Sequence, residues 1–242
     1  ALRLVCERER EIQDFKPEEY WTLKARFQGE ASKSDDFWTT LFKLDGQKPH
    51  VPNEETANEL ATELESATYA VVDVSSKDKR QRPAPPFMTS TLQQVAGARL
   101  RMSTRQTMSL AQQLYEGVDL GGEGAVGLIT YMRTDSLNIA QEAQHSARAF
   151  VANQFGEEYV PKKPNFYKTK GSAQEAHEAI RPTDVKRTPE QLSNVLNPNQ
   201  LKLYRLIWER FVASQMASAR LRQHTLDVAP DETGLDHAYL FR

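Results

Sequence analysis

A tyrosine followed two residues later by an arginine, then by hydroxyl and carboxyl side chains, has the makings of a phosphodiester-cleaving group. The segment is Gly127-Leu128-Ile129-Thr130-Tyr131-Met132-Arg133-Thr134-Asp135-Ser136. A free phenol titrates near pH ~10 and needs help to act as a nucleophile around neutrality. In an extended chain Arg133 shares a face with Tyr131. Its guanidinium could favour the phenolate, and its planar fork matches a phosphate. Thr134 and Ser136 add hydroxyls, and Asp135 could fix Arg133 or cap a following helix. The first amides of such a helix are a natural anion site. The same spacing also suits a strand-end tyrosine that packs its ring, with Asp135 as a cap, and spacing alone leaves both readings open.

Two other segments could assist. In Ala176-His177-Glu178-Ala179-Ile180-Arg181-Pro182-Thr183 a histidine near a basic residue could move a proton or hold a phosphate oxygen. A second histidine four positions on is missing, so this is not a zinc-protease pattern. His145 has no such neighbours. At Phe87–Gln94, the residues Thr89, Ser90, Thr91, Gln93 and Gln94 gather at a helix start, where amides can hold a phosphate and where capping is an equally good explanation. The glycine-rich stretch at 121–127 lacks the Gly-Lys-Ser/Thr ending of a nucleotide-binding loop and reads as flexible.

The periodicity predicts the elements that position these groups. Helices are expected over 2–15, 54–66, 89–101, 104–116, from about 138 to Phe155, over 189–196 and over 198–216. Asn53 and the Ser103/Gln106 pair should cap the second and fourth, and Asn138 or Ser136 the fifth. A short helical piece is expected at Ala173–Ile180. Strands are expected at 20–28, 36–44, 69–74, 125–132 and 219–228, the first two joined by a turn at 29–35. Residues 76–86, basic and then proline-rich, read as a linker, and 156–172 as an open loop. Strand signals at both ends flank a helical middle. The expected fold is α+β, with a mainly helical, tyrosine-bearing domain inserted into a β-rich domain.

The 242 residues suffice for one large or two smaller domains, and no apolar run approaches the length of a membrane span. The start of the chain has no signal-peptide layout, which points to a cytoplasmic location. A single cysteine, Cys6, excludes an internal disulfide and a cysteine-based zinc site, and its setting suggests a small buried hydrophobe. The net charge of −2 does not announce a nucleic-acid partner. Yet Lys77, Lys79, Arg80 and Arg82, then Arg99, Arg101 and Arg105, then Lys162, Lys163, Lys168 and Lys170 gather near the candidate segments, as in a phosphate-tracking groove.

Taken in order, Pro86–Gln94, Ala111–Gly117, Gly127–Ser136 and Glu175–Thr183 resemble bacterial DNA topoisomerase I of the type IA topoisomerase family, as do the opening Leu2–Ile12 and Gln200–Met216. The resemblance implies a winged-helix-like tyrosine domain over 83–217, a β arch over 16–82 and 218–242, and the end of a base-domain helix over 1–15. It implies that Tyr131 is the nucleophile, that Arg133 positions the scissile phosphate, that His177 assists, and that Thr134 and Asp135 support them. Ser90, Thr91, Gln93, Gln94 and Arg181 would contact DNA. The family cuts one strand through a 5′-phosphotyrosine, passes the other strand and reseals, relaxing negative supercoils without a nucleotide.

Single-stranded DNA is the implied partner, in a monomeric, nucleoid-associated enzyme. Magnesium is implied in the full-length enzyme, on an acidic site in a domain this chain lacks. The chain itself would hold no metal or other cofactor and would be inactive in relaxation alone. Met88 departs from the threonine usual in the family, and Arg101-Met102 from a commoner Gly-Phe. The same core occurs in reverse gyrase. A non-catalytic single-stranded DNA-binding module, without need of a Tyr-x-Arg pair, and an unrelated interaction domain, without DNA binding at low salt, are the competing classes.

Overall fold

The computed structural model describes residues 2–29, 36–122, 124–168, 177–231 and 234–242. The expected turn at 29–35, the glycine-rich stretch at position 123 and the helical piece from 173 to 176 thus fall wholly or partly outside the described residues. The fold is α+β, and the chain divides into two compact units, Ala1–Lys79 with Arg222–Arg242, and Arg80–Leu221.

The first unit is built on a five-stranded sheet ordered β1-β2-β7-β6-β3, where β1 is Lys24–Gln28, β2 Asp36–Leu44, β3 Tyr69–Gln81, β6 Ala219–Pro230 and β7 Tyr239–Phe241. β1 and β2 pair antiparallel, Lys24 opposite Thr40 and Gln28 opposite Asp36. β7 pairs antiparallel with β2, Phe241 opposite Leu41, and with β6 at Val228. Helix α2 (Glu54–Glu65) supplies Ala57, Leu60 and Leu64 to one core with Leu41, Val228, Tyr239 and Phe241. Asn53 caps α2 by accepting the Thr56 amide at 2.9 Å, as its side-chain type predicts. Helix α1 (Leu2–Gln13) buries none of its residues, and Cys6 is exposed, contrary to expectation.

The second unit gathers α3 (Thr89–Leu100), α4 (Thr104–Glu116) and α6 (Pro198–Ser214) around Leu92, Ala96, Leu110, Leu114, Leu203 and Ile207. Two-residue strands β4 (Val118–Asp119) and β5 (Ala125–Val126) form a hairpin after α4. Helix α5 (Gln141–Phe155) packs Ala147 and Val151 against Phe211 and Val212 of α6.

Several expected elements differ. β3 continues to Gln81 through the basic residues, so the irregular linker is confined to 82–86, where proline removes backbone donors. The strand expected over 125–132 ends at Val126, because beyond it the chain leaves its β4 partner and pairs by single bridges elsewhere. Residues 189–196 form consecutive turns in place of a helix, mixing the Leu196 amide to Leu192 carbonyl bond with three-residue bonds such as Val195 to Leu192. Residues 177–180 are not helical, and Ile180 bridges to Phe87. Neither Ser136 nor Asn138 caps α5. Its first cap residue is Ala140, whose amide donates instead to Glu178 Oε1 at 2.6 Å. β4, β7 and a 3-10 turn at Glu157–Tyr159 lack a sequence signal long enough to read.

Candidate active site

Burial alternates residue by residue through the tyrosine segment. Met132, Thr134 and Ser136 are buried, whereas Tyr131, at 48% exposure, and Arg133 and Asp135 are exposed. The period of two that places Tyr131 and Arg133 alike therefore survives without a regular strand.

Backbone bonds from both sides hold this segment. On one side, the Thr130 amide donates to the Arg181 carbonyl at 2.9 Å, and the Thr183 amide donates to the Leu128 carbonyl at 3.0 Å. Thr130 Oγ1 donates to the Ala179 carbonyl at 2.7 Å and accepts the Arg181 amide at 3.0 Å. On the other side, the Thr89 amide donates to the Thr134 carbonyl at 2.9 Å, while Thr89 Oγ1 lies 2.7 Å from the Met132 carbonyl and accepts the Thr134 amide at 2.8 Å. The outer segments also touch, the Ile180 amide donating to the Phe87 carbonyl at 2.8 Å. Leu128, Ile129, Met132 and Ile180 are driven into the core, and that burial fixes which side the polar residues face. Downstream, Thr134 Oγ1 accepts the Ser136 amide and Ser136 Oγ the Asn138 amide, so two hydroxyls shape the turn toward α5.

Helix α4 sets the third boundary. Leu114 accepts the Leu128 amide at 2.7 Å, and a Cβ at Gly127 would meet the Tyr115 carbonyl oxygen at 2.7 Å. That close approach requires glycine. It also brings the Tyr115 ring edge-on to Tyr131, with centroids 5.3 Å apart and planes at 64°.

The other candidate residues are distributed unequally around this frame. His177 is exposed and lies two positions before Ala179, whose carbonyl receives the Thr130 hydroxyl. Among the described residues, Arg133 has no ion-pair or hydrogen-bond partner, and Asp135 neither fixes it nor caps α5. Ser90 and Gln94 are exposed on α3, Gln93 is half-buried, and Thr91 Oγ1 accepts the Met88 amide at 3.1 Å. The Arg181 side chain is only 12% exposed and pairs with Glu178 at 2.7 Å, which occupies it within the protein. The bonding roles of Thr89 and Thr130 and the ring contact of Tyr115 leave no local mark in the sequence, since each acts on a partner distant in the chain. Among the described residues no three histidine, cysteine or carboxylate groups converge as metal ligands would.

The DNA topoisomerase family model matches residues 1–237. The chain belongs to the bacterial DNA topoisomerase I family. It is 44% identical over 246 residues to DNA topoisomerase 1 of Xylella fastidiosa (strain 9a5c), covering 99% of this chain and 29% of that protein. Similarity to DNA topoisomerase 1 of Treponema pallidum (strain Nichols) is 46% over 228 residues, covering 94% and 30%. Full-length topoisomerase I of Thermotoga maritima superposes with a TM-score of 0.74 at 35% identity, covering 99% of this chain and 36% of that structure. The chain therefore spans about 30% of the length of these curated topoisomerases.

Proposed function

We propose that this chain carries the DNA-cleaving tyrosine of a type IA topoisomerase. The Tyr131 oxygen bonds to a backbone phosphorus as the bond from phosphorus to the 3′ oxygen breaks. The phenol loses its proton, the departing 3′ oxygen gains one, and the 5′ phosphate stays on Tyr131. Strand passage and the reverse attack by the 3′ hydroxyl then relax negative supercoils. One phosphodiester replaces another, so no nucleotide is consumed.

Arg133 holds the scissile phosphate and offsets the charge of its transition state. His177 assists at the same place, and Thr134 and Asp135 support the turn that presents Arg133. Ser90, Thr91, Gln93 and Gln94 offer hydroxyls and amides along the strand's path. Arg181 serves by fixing Glu178 and the segment that flanks Thr130. Single-stranded DNA is the partner. Magnesium, in the full-length enzyme, is held by parts of the protein outside this chain.

One observation carries this reading: an exposed phenol on a backbone bonded from both sides, next but one to a guanidinium with no protein partner among the described residues. In the full-length protein, Tyr131→Phe should abolish the covalent adduct with a single-stranded oligonucleotide and leave its binding largely intact. An adduct formed by that variant would refute the assignment.

A further inference from the structure

Tyr167 draws together two stretches far apart in the chain. Its hydroxyl lies 3.2 Å from the Pro83 carbonyl and 2.8 Å from the Ser214 carbonyl. Arg82 directly precedes Pro83. Arg210 lies one turn before Ser214 on the same face of α6. The Arg210 guanidinium carbon sits 4.7 Å from the centre of the Phe87 ring, and Phe87 is only 1% exposed. From a third direction comes Arg99, on α3, whose Leu92 and Ala96 share a core with Leu203 and Ile207 of α6.

Among the described residues, none of these three arginines has a carboxylate partner. Burial and then the charge of Arg99 lower the Arg210 pKa. Burial pushes the Tyr167 phenol up, while the charges of Arg82 and Arg210 pull it down. The Tyr167 hydrogen bonds hold the residue after Arg82 beside the end of α6, and the shared core sets α3, with Arg99, against α6, with Arg210. Arginine keeps its charge at all physiological pH values, so an anion at this place would relieve repulsion between these side chains. Arg210 is already partly desolvated and held by an aromatic face, which reduces what it loses on binding.

We propose that Arg82, Arg99 and Arg210 form a phosphate-binding site for the backbone of a nucleic-acid strand, separate in its residues from the Tyr131 segment. This rests on the reading of the chain as a DNA-handling enzyme and adds a sequence-independent contact to it. Planar guanidinium groups from three elements suit the paired oxygens of a phosphodiester.

The test uses the full-length protein and a fluorescent single-stranded oligonucleotide titrated across salt concentrations. Arg82 and Arg99 are exposed, so Arg82→Gln with Arg99→Gln leaves the core alone, which an unchanged melting temperature verifies. Binding should weaken about tenfold near 0.1 M salt for every sequence tried, and the slope of log K against log salt should become shallower by about 1.4, or ~0.7 per lost contact. An unchanged affinity and slope would overturn the site. Inorganic phosphate at matched ionic strength should leave the strand bound. Displacement from wild type and not from the variant would assign the trio to free phosphate and overturn the proposal as well. Adduct formation on the same oligonucleotide separates the two readings. With the adduct present and the slope unchanged, only the phosphate site falls. With the slope changed and an adduct still formed by Tyr131→Phe, only the tyrosine assignment falls.

Discussion

Thr89 grips Thr134 through both its amide and its hydroxyl, across 45 positions of sequence, and reaches Met132 with the same hydroxyl. The first residue of α3 therefore fixes the backbone on the far side of Tyr131 and Arg133. Replacing it by valine keeps the shape and removes the hydroxyl. Thr89→Val should cost about 1–3 kcal/mol in denaturant unfolding, because the Thr134 amide loses its acceptor. Adduct formation should fall more than oligonucleotide binding. Equal stability and equal cleavage would show that this grip is dispensable.

Gly127 and Tyr115 govern the other approach to Tyr131. A methyl group at Gly127 would press into the Tyr115 carbonyl. Gly127→Ala should destabilise the protein by roughly 1–3 kcal/mol through that clash and slow adduct formation. Tyr115→Phe retains the edge contact and should cleave normally, whereas Tyr115→Ala should cleave several-fold more slowly with unchanged DNA affinity. If alanine and phenylalanine behave alike in single-turnover cleavage, the ring does not position Tyr131.

Two residues at the ends of α3 carry a structural cost. Met88 is the cap residue of α3 without a side-chain bond to the helix. Arg101 ends the same helix with φ 58°, a conformation that favours glycine. A non-glycine residue there is strained. Met88→Thr and Arg101→Gly should each raise stability by about 0.5–1 kcal/mol, read as a higher denaturation midpoint. A drop for Arg101→Gly would mean its side chain contributes more than its backbone costs.

In the β unit, His237 Nδ1 lies 2.8 Å from Asp45 Oδ2. The hydrogen bond to Asp45 raises the His237 pKa. The Ala238 amide, then His237, holds the Asp45 carboxyl below its ordinary value. The histidine contribution is complete below its ordinary value of about 6.5 and is lost as pH rises through the raised one; the aspartate contribution is present above about 3.9 and is lost as pH falls through the lowered one. The pair therefore helps most between those limits. The thermal midpoint should decline from pH 6.5 to 8, and His237→Gln should flatten that decline. An identical slope in calorimetry would exclude the pair as its cause.

The helices that were legible are those whose ends carry their own signal. Asn53 and Ser103 mark the starts of α2 and α4 because each bonds an amide three residues on, within its own segment. Apolar spacing did the same for α3 and α6. Ala140 shows the opposite case, since its acceptor, Glu178, lies 38 positions away and no local pattern can reveal it. Tyr131 and Arg133 stood out by type and by alternation. Thr89 and Thr130 did not, because a threonine's partner across the fold leaves no mark on its neighbours. The Arg181–Glu178 ion pair, three positions apart, is allowed by spacing but not announced by it.

The three short segments around Tyr131 come from positions near 87, 130 and 180, and no two of them are neighbours in the chain. A nascent polypeptide that has emerged only as far as residue 178 already contains the tyrosine and its arginine, yet lacks one wall of their support. Assembly of this region is thus a late, high-contact-order event. Backbone amides at Thr130 and Thr134 should gain protection from hydrogen exchange together, after the helices α3 and α4 have theirs.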